Sequence, residues 1–165
     1  NTTASDNVGV GHSALEANTT GAYNTAVGKN SLAANTTADH NTAVGKGAMD
    51  STTTGAQNTA VGSNTMDANT TGAGNVAVGY AALNANTTAS NNTAVGRNAL
   101  LVNTTGDANV SVGNYSLDAN TTGANNTGIG YAALGATTTA SHNTGVGYLA
   151  LNANTTGINN TALKQ

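Results

Sequence analysis

An asparagine returns every 17 residues along this chain, at Asn7, Asn24, Asn41, Asn58, Asn75, Asn92, Asn109, Asn126, Asn143 and Asn160, and opens a segment close to Asn-Thr-Ala-Val-Gly each time. No insertion or deletion interrupts the spacing. Residues 1–6 and 160–165 are therefore partial units around nine full ones that start at 7, 24, 41, 58, 75, 92, 109, 126 and 143. A period this short restricts the chain to a stack of similar coils, each too small to bury a face alone. Residues 1–165 are expected to form one all-β domain, a parallel β-solenoid with 17 residues per coil and about ten coils.

Composition closes the alternatives. The chain has no Phe, Trp, Pro or Cys, and only 3% of its residues are aromatic, too little bulk for a conventional core of 165 residues. A net charge of -3 and 7% charged residues are equally unlike a disordered chain. Four basic residues, Lys29, Lys46, Arg97 and Lys164, sit in separate units and make no cationic stripe, so nucleic acid is not an expected partner. No apolar run approaches the roughly 18 residues of a membrane span. Without cysteine there is neither disulfide nor thiolate chemistry. The sequence starts in mid-unit at Asn1-Thr2-Thr3, without Met or signal peptide, and reads as a mature product or a piece of something longer.

Places in the unit are numbered from its leading Asn. Place 2 is Thr or Val and place 4 is Val27, Val44, Val61, Val78, Val95, Val112, Ile129 or Val146. Two β-branched residues around a small one predict a short strand with its larger side chains in the core. Place 5 is Gly from Gly11 to Gly147, which predicts a bend that a Cβ would obstruct. Places 8 to 11 predict a second short strand that points Leu15, Leu32, Met49, Met66, Leu83, Leu100, Leu117, Leu134 and Leu151 inward. Places 12 to 15, Asn-Thr-Thr-Gly or close to it, predict a turn. Coils stacked at the strand spacing would make a rod roughly 48 Å long.

Variation between units separates free places from constrained ones. Place 6 holds His12, Lys29, Ser63, Tyr80, Arg97, Tyr131 and Tyr148 among others, the signature of a solvent-facing column. Place 3 holds only small residues, Ala26, Ala43, Ala60, Ala77, Ala94, Ser111, Gly128 and Gly145 among them. These are expected to point away from the core. Two explanations then stand: a neighbouring copy packs closely there, or the roll is so flat that both faces are partly internal.

The recurring Asn-Thr-Ala-Val-Gly with a small residue and Leu behind it, as in Asn75 to Leu83 and Asn126 to Leu134, resembles the repeat of YadA-type trimeric autotransporter adhesin heads. With the Asn-Thr-Thr-Gly spacer it also resembles arrays that precede endosialidase-type chaperone domains in phage tail fibres and bacterial surface proteins. The resemblance spans nearly the whole chain. It implies a left-handed parallel β-roll, three chains side by side, and an extracellular fibre or adhesive head on a cell surface or virion.

Catalytic and metal chemistry find little support. His40 and His142 share place 17 but lie six units apart, about 29 Å at the strand spacing. Asp50 and Asp67 share place 10 in consecutive units, too few carboxylates for a strong Ca²⁺ site. Gly128-Ile129-Gly130 only imitates a dinucleotide fingerprint, because no helix follows. The Asn-Thr-Thr segments match the glycosylation acceptor, a match that a repeated turn generates by itself. No enzyme activity, cofactor or metal is expected.

Threonine is the remaining signal. Thr19, Thr36, Thr53, Thr70, Thr87, Thr104, Thr121, Thr138 and Thr155 fill place 13, and Thr follows each of them at place 14. An outward column of place 13 hydroxyls would suit ice binding, although adjacent Thr-Thr before Gly is turn chemistry. The leading expectation is a structural fibre, filament or adhesin head. Its partners would be copies of itself, in a trimer or a head-to-tail filament, and a host-surface or carbohydrate receptor reached through columns such as Tyr80, Tyr131 and Tyr148. The alternative is an ice-binding solenoid that uses the Thr columns.

Overall fold

The computed structural model describes residues 3–165. Among them are ten strands of three residues each: β1 Val8–Val10, β2 Thr25–Val27, β3 Thr42–Val44, β4 Thr59–Val61, β5 Val76–Val78, β6 Thr93–Val95, β7 Val110–Val112, β8 Thr127–Ile129, β9 Thr144–Val146 and β10 Thr161–Leu163. They form one parallel sheet in chain order, each residue pairing with its equivalent 17 positions on, as Ala26 with Ala43 and Ala43 with Ala60. The protein is a parallel β-solenoid whose period is the sequence repeat.

Each coil carries one strand, not two. The residues predicted as a second strand form a turn with left-handed backbone at places 7 and 9, including Asn30 (φ 59°) and Leu32 (φ 49°). Peptides still bond from coil to coil there, as in Leu32 N–H to Ala48 O at 3.1 Å. Strand geometry is lost because a left-handed residue reverses the run of peptides. An L-residue loses on the order of 1 kcal/mol in that conformation, and burying a leucine contributes roughly 2 kcal/mol. Burial wins, since Leu32, Met49, Met66, Leu83, Leu100, Leu117 and Leu134 have 0% exposure. Leu15 and Leu151 are half-buried.

The strand faces opposite to expectation. Ala26, Ala43, Ala60, Ala77, Ala94 and Ser111 have no exposed surface, and Gly128 and Gly145 are buried. The small residues of place 3 therefore line the interior, and no neighbouring copy can reach them. The expected core column of place 4 stands on the outer face, with Val27, Val44, Val95, Val112 and Val146 half-buried and Val61, Val78 and Ile129 exposed. Alternation puts places 2 and 4 on one side and place 3 on the other. The interior admits one large side chain per coil, the Leu or Met of place 9, and the wall it meets has to be small. A Cβ at Gly145 would sit 3.2 Å from Leu134 Cγ.

Polar ladders complete the core. Asn24 Oδ1 accepts the Asn41 backbone N–H at 2.9 Å while Asn24 Nδ2 donates to Ala38 O at 2.8 Å. The same double bond recurs at Asn41, Asn58 and Asn75. A second ladder joins place 12, from Asn35 Nδ2 to Asn18 Oδ1 and from Asn86 Nδ2 to Asn69 Oδ1, both at 2.8 Å. At Gly28 the φ of 135° and the 2.5 Å between a built Cβ and Gly45 O explain why place 5 is Gly in each coil from Gly11 to Gly147.

Candidate functional surfaces

Strand alternation makes the outer sheet face from two in-register columns. Place 2 contributes Val8, Thr25, Thr42, Thr59, Val76, Thr93, Val110, Thr127, Thr144 and Thr161, and place 4 runs from Val10 through Ile129 to Leu163. No residue in either column is charged or carries an amide. Val61, Val76, Val78 and Ile129 keep 37–39% of their surface exposed. The columns stand about 4.8 Å apart coil to coil and about 6.7 Å apart along the strand.

The threonine pair divides. At place 13, predicted to be the functional column, the hydroxyls are committed to the stack: Thr36 Oγ1 donates to Thr53 O at 3.1 Å, Thr70 to Thr87 O at 2.9 Å and Thr121 to Thr138 O at 3.1 Å. Thr19, Thr53, Thr87 and Thr104 do the same, and Thr138 and Thr155 are exposed. Place 14 is the outward column, exposed in all nine units from Thr20 to Thr156. Each of these seven place 13 hydroxyls, from Thr19 to Thr121, stands against a carbonyl of the next coil, which a sequence cannot reveal.

The place 6 edge is exposed at Lys29, Lys46, Tyr80, Arg97, Tyr131 and Tyr148. Arg97 lies over the Tyr115 ring with its guanidinium carbon 4.7 Å from the centroid, and it also bonds the Tyr115 hydroxyl. Tyr115 meets Tyr131 edge-on at 6.0 Å, and Tyr131 stacks on Tyr148 at 5.5 Å. Elsewhere Tyr23 and His40 stack at 4.9 Å.

Titratable groups do not converge. Partial burial raises the pKa of Asp67, and repulsion from Asp50 adds to it. Burial also raises Asp118, against backbone hydrogen bonds that lower it. No group of three or more His, Cys, Asp or Glu could hold a metal among the described residues, nor do they enclose a pocket. His12, His40 and His142 are exposed and apart. No helix among the described residues is long and apolar enough to cross a membrane.

The asparagines of the glycosylation-like segments are inside. Asn18, Asn35, Asn69, Asn86, Asn103 and Asn120 are at most 1% exposed, with their amides in the place 12 ladder. Asn154 is half-buried, and Asn1 lies outside the described residues. The leading Asn column was legible as a repeat marker but not as a hydrogen-bonding one. Its identical residue in all ten units was the available signal.

Fold and surfaces together define a narrow parallel β-solenoid rod with one uncharged β-branched face. Comparison with protein-family models, curated proteins and solved structures finds no match for the chain.

Proposed function

We propose that this protein is an extracellular structural rod, of the fibre or adhesin-head kind, that associates side by side with copies of itself through the outer face of its sheet. The observation that carries the reading is that face: two unbroken uncharged columns over ten strands, β-branched throughout except for Leu163 in the last. A strip about 48 Å long and about 10 Å wide offers on the order of 500 Å² per copy. Two copies face to face would bury on the order of 1,000 Å², the lower bound for a specific interface. Three around an axis would recruit the flanking columns as well, the arrangement that the resemblance to trimeric adhesins favours. Any host-surface or carbohydrate receptor would meet the variable place 6 edge, where Tyr80, Tyr131 and Tyr148 are 47–58% exposed.

Sedimentation equilibrium on the native chain and on Val44→Lys/Val78→Lys tests this. The native chain should be oligomeric and the variant monomeric with an unchanged circular dichroism spectrum. A native chain that stays monomeric at every concentration sinks the proposal.

One observation favours a second reading, ice binding. Thr25, Thr42, Thr59, Thr93, Thr127 and Thr144 each stand two residues from an outward Val or Ile on a strand. Methyl and hydroxyl groups thus recur on a grid of about 4.8 by 6.7 Å, suited to holding surface water in an ordered array. Thermal hysteresis decides it: Thr42→Tyr/Thr59→Tyr should abolish the effect and Thr54→Tyr/Thr71→Tyr should spare it. Native protein without hysteresis removes this reading.

A further inference from the structure

Three of the five tyrosines form a continuous run along one edge, Tyr115, Tyr131 and Tyr148, in consecutive coils. The rings of Tyr131 and Tyr148 lie 5.5 Å apart and within 15° of parallel, and they are 47% and 58% exposed. The coil does not need them, since place 6 also accepts His12, Lys29, Ser63 and Asn114. With no cysteine in the chain, a coil-to-coil disulfide is closed to it.

We infer that Tyr131 and Tyr148 are a preassembled pair for oxidative coupling to dityrosine, a covalent staple between neighbouring coils. The oxidant is a peroxide acting through a peroxidase. Each phenol gives up one electron and one proton, which leaves a phenoxyl radical with spin on the carbons ortho to oxygen. The two radicals form one carbon–carbon bond between ortho carbons, and each ring then regains aromaticity as its ortho hydrogen moves to the oxygen. The peroxide O–O bond breaks, takes up the two electrons and two protons, and yields two waters. Both side chains are exposed enough to turn their ortho carbons together.

The other tyrosines are set apart by their neighbours. The Arg97 cation over Tyr115 opposes removal of an electron from that ring, and Tyr115 meets Tyr131 edge-on rather than face to face. Tyr23 stacks on His40. The coils next to Tyr80 carry Ser63 and Arg97 at the equivalent place. A bond from Tyr131 to Tyr148 closes one full coil into a loop, so the two coils it joins cannot part by local opening.

The test is to treat the intact, dilute chain with a peroxidase and hydrogen peroxide, and to read dityrosine fluorescence, intact mass and a denaturing gel. The expected product is a single chain lighter by two hydrogen atoms, with the link mapped by proteolysis to Tyr131 and Tyr148. Tyr148→Phe keeps a ring in the stack but has no phenol, and its fluorescence should fall to that of a Tyr131→Phe/Tyr148→Phe double variant. Tyr80→Phe should match the native chain. Covalent dimers as the main product, a link through Tyr115, or undiminished yield in Tyr148→Phe would overturn the inference.

Discussion

The strand wall and the turn wall of each coil are bonded to their neighbours in parallel, yet they are built from opposite materials. The strand wall is three residues of ordinary extended backbone, with small residues inside and Thr, Val or Ile facing water. The turn wall holds left-handed residues, the one large apolar side chain, and a buried column of amides. The difference teaches that the interior is specified by hydrogen bonds at least as much as by apolar bulk. A buried amide left without its partner costs about 1–3 kcal/mol, comparable to the roughly 2 kcal/mol that a buried leucine contributes.

The sharpest way to break this comparison is to delete one amide from the interior. Asn75→Ala strands the buried Asn92 N–H, which Asn75 Oδ1 now accepts at 2.9 Å, and removes one of the two donors to the Ala89 carbonyl, which keeps Asn86 Nδ2 at 3.0 Å. With that buried donor unpaired and a second hydrogen bond lost, the loss of unfolding free energy should be about 3 kcal/mol, read by denaturant titration. Leu83→Ala, which removes the only large apolar side chain of the same coil's interior, should cost about 3 kcal/mol. If the leucine variant is far the more damaged, apolar bulk dominates after all.

A repair sharpens the same point. The place 12 ladder is interrupted where Thr52 and Thr137 replace Asn, and Asn35 Oδ1 and Asn120 Oδ1 are left buried without a partner. Thr52→Asn should restore the missing donor and stabilise the fold by about 1 kcal/mol. The adjacent threonines give a smaller contrast. Thr87→Val removes a hydroxyl bonded to Thr104 O and should cost about 1 kcal/mol, whereas Thr88→Val, on an exposed residue, should stay within about 0.5 kcal/mol of native. Equal effects would erase the distinction between the two columns.

The smallest effect is electrostatic. The raised pKa of Asp67 means that the folded chain binds its proton more readily than the unfolded one. Stability from this group is then present below the ordinary carboxylate range and lost as pH rises through the raised value. Asp67→Asn should flatten that part of the profile, measured as the melting midpoint against pH, and raise the midpoint slightly at neutral pH.

Particular residues show where the sequence was readable. The Asn spacing and the Gly of place 5 were enough for a parallel solenoid of the right period, because identical units can satisfy their backbones only by stacking on one another. Leu32 and Leu83 could be placed inside because each is the one large apolar residue in the second half of its coil. Val27 and Ala26 were placed on the wrong sides, since in a three-residue strand alternation fixes which residues share a face but not which face is inner. That was decided by how much room the leucine leaves. The second strand was wrongly expected for a related reason: left-handed Leu carries no sequence mark, and only burial in the finished stack makes that conformation favourable.

The sequence by itself determined the period, the number of coils and the parallel order of the strands at place 2 to place 4, all of which follow from repetition without insertion. Only the tertiary structure decided which columns face water. A side chain in a coil this narrow is inner or outer according to the bulk opposite it and the carbonyl of the next coil, and both are contacts between residues 14 to 17 positions apart.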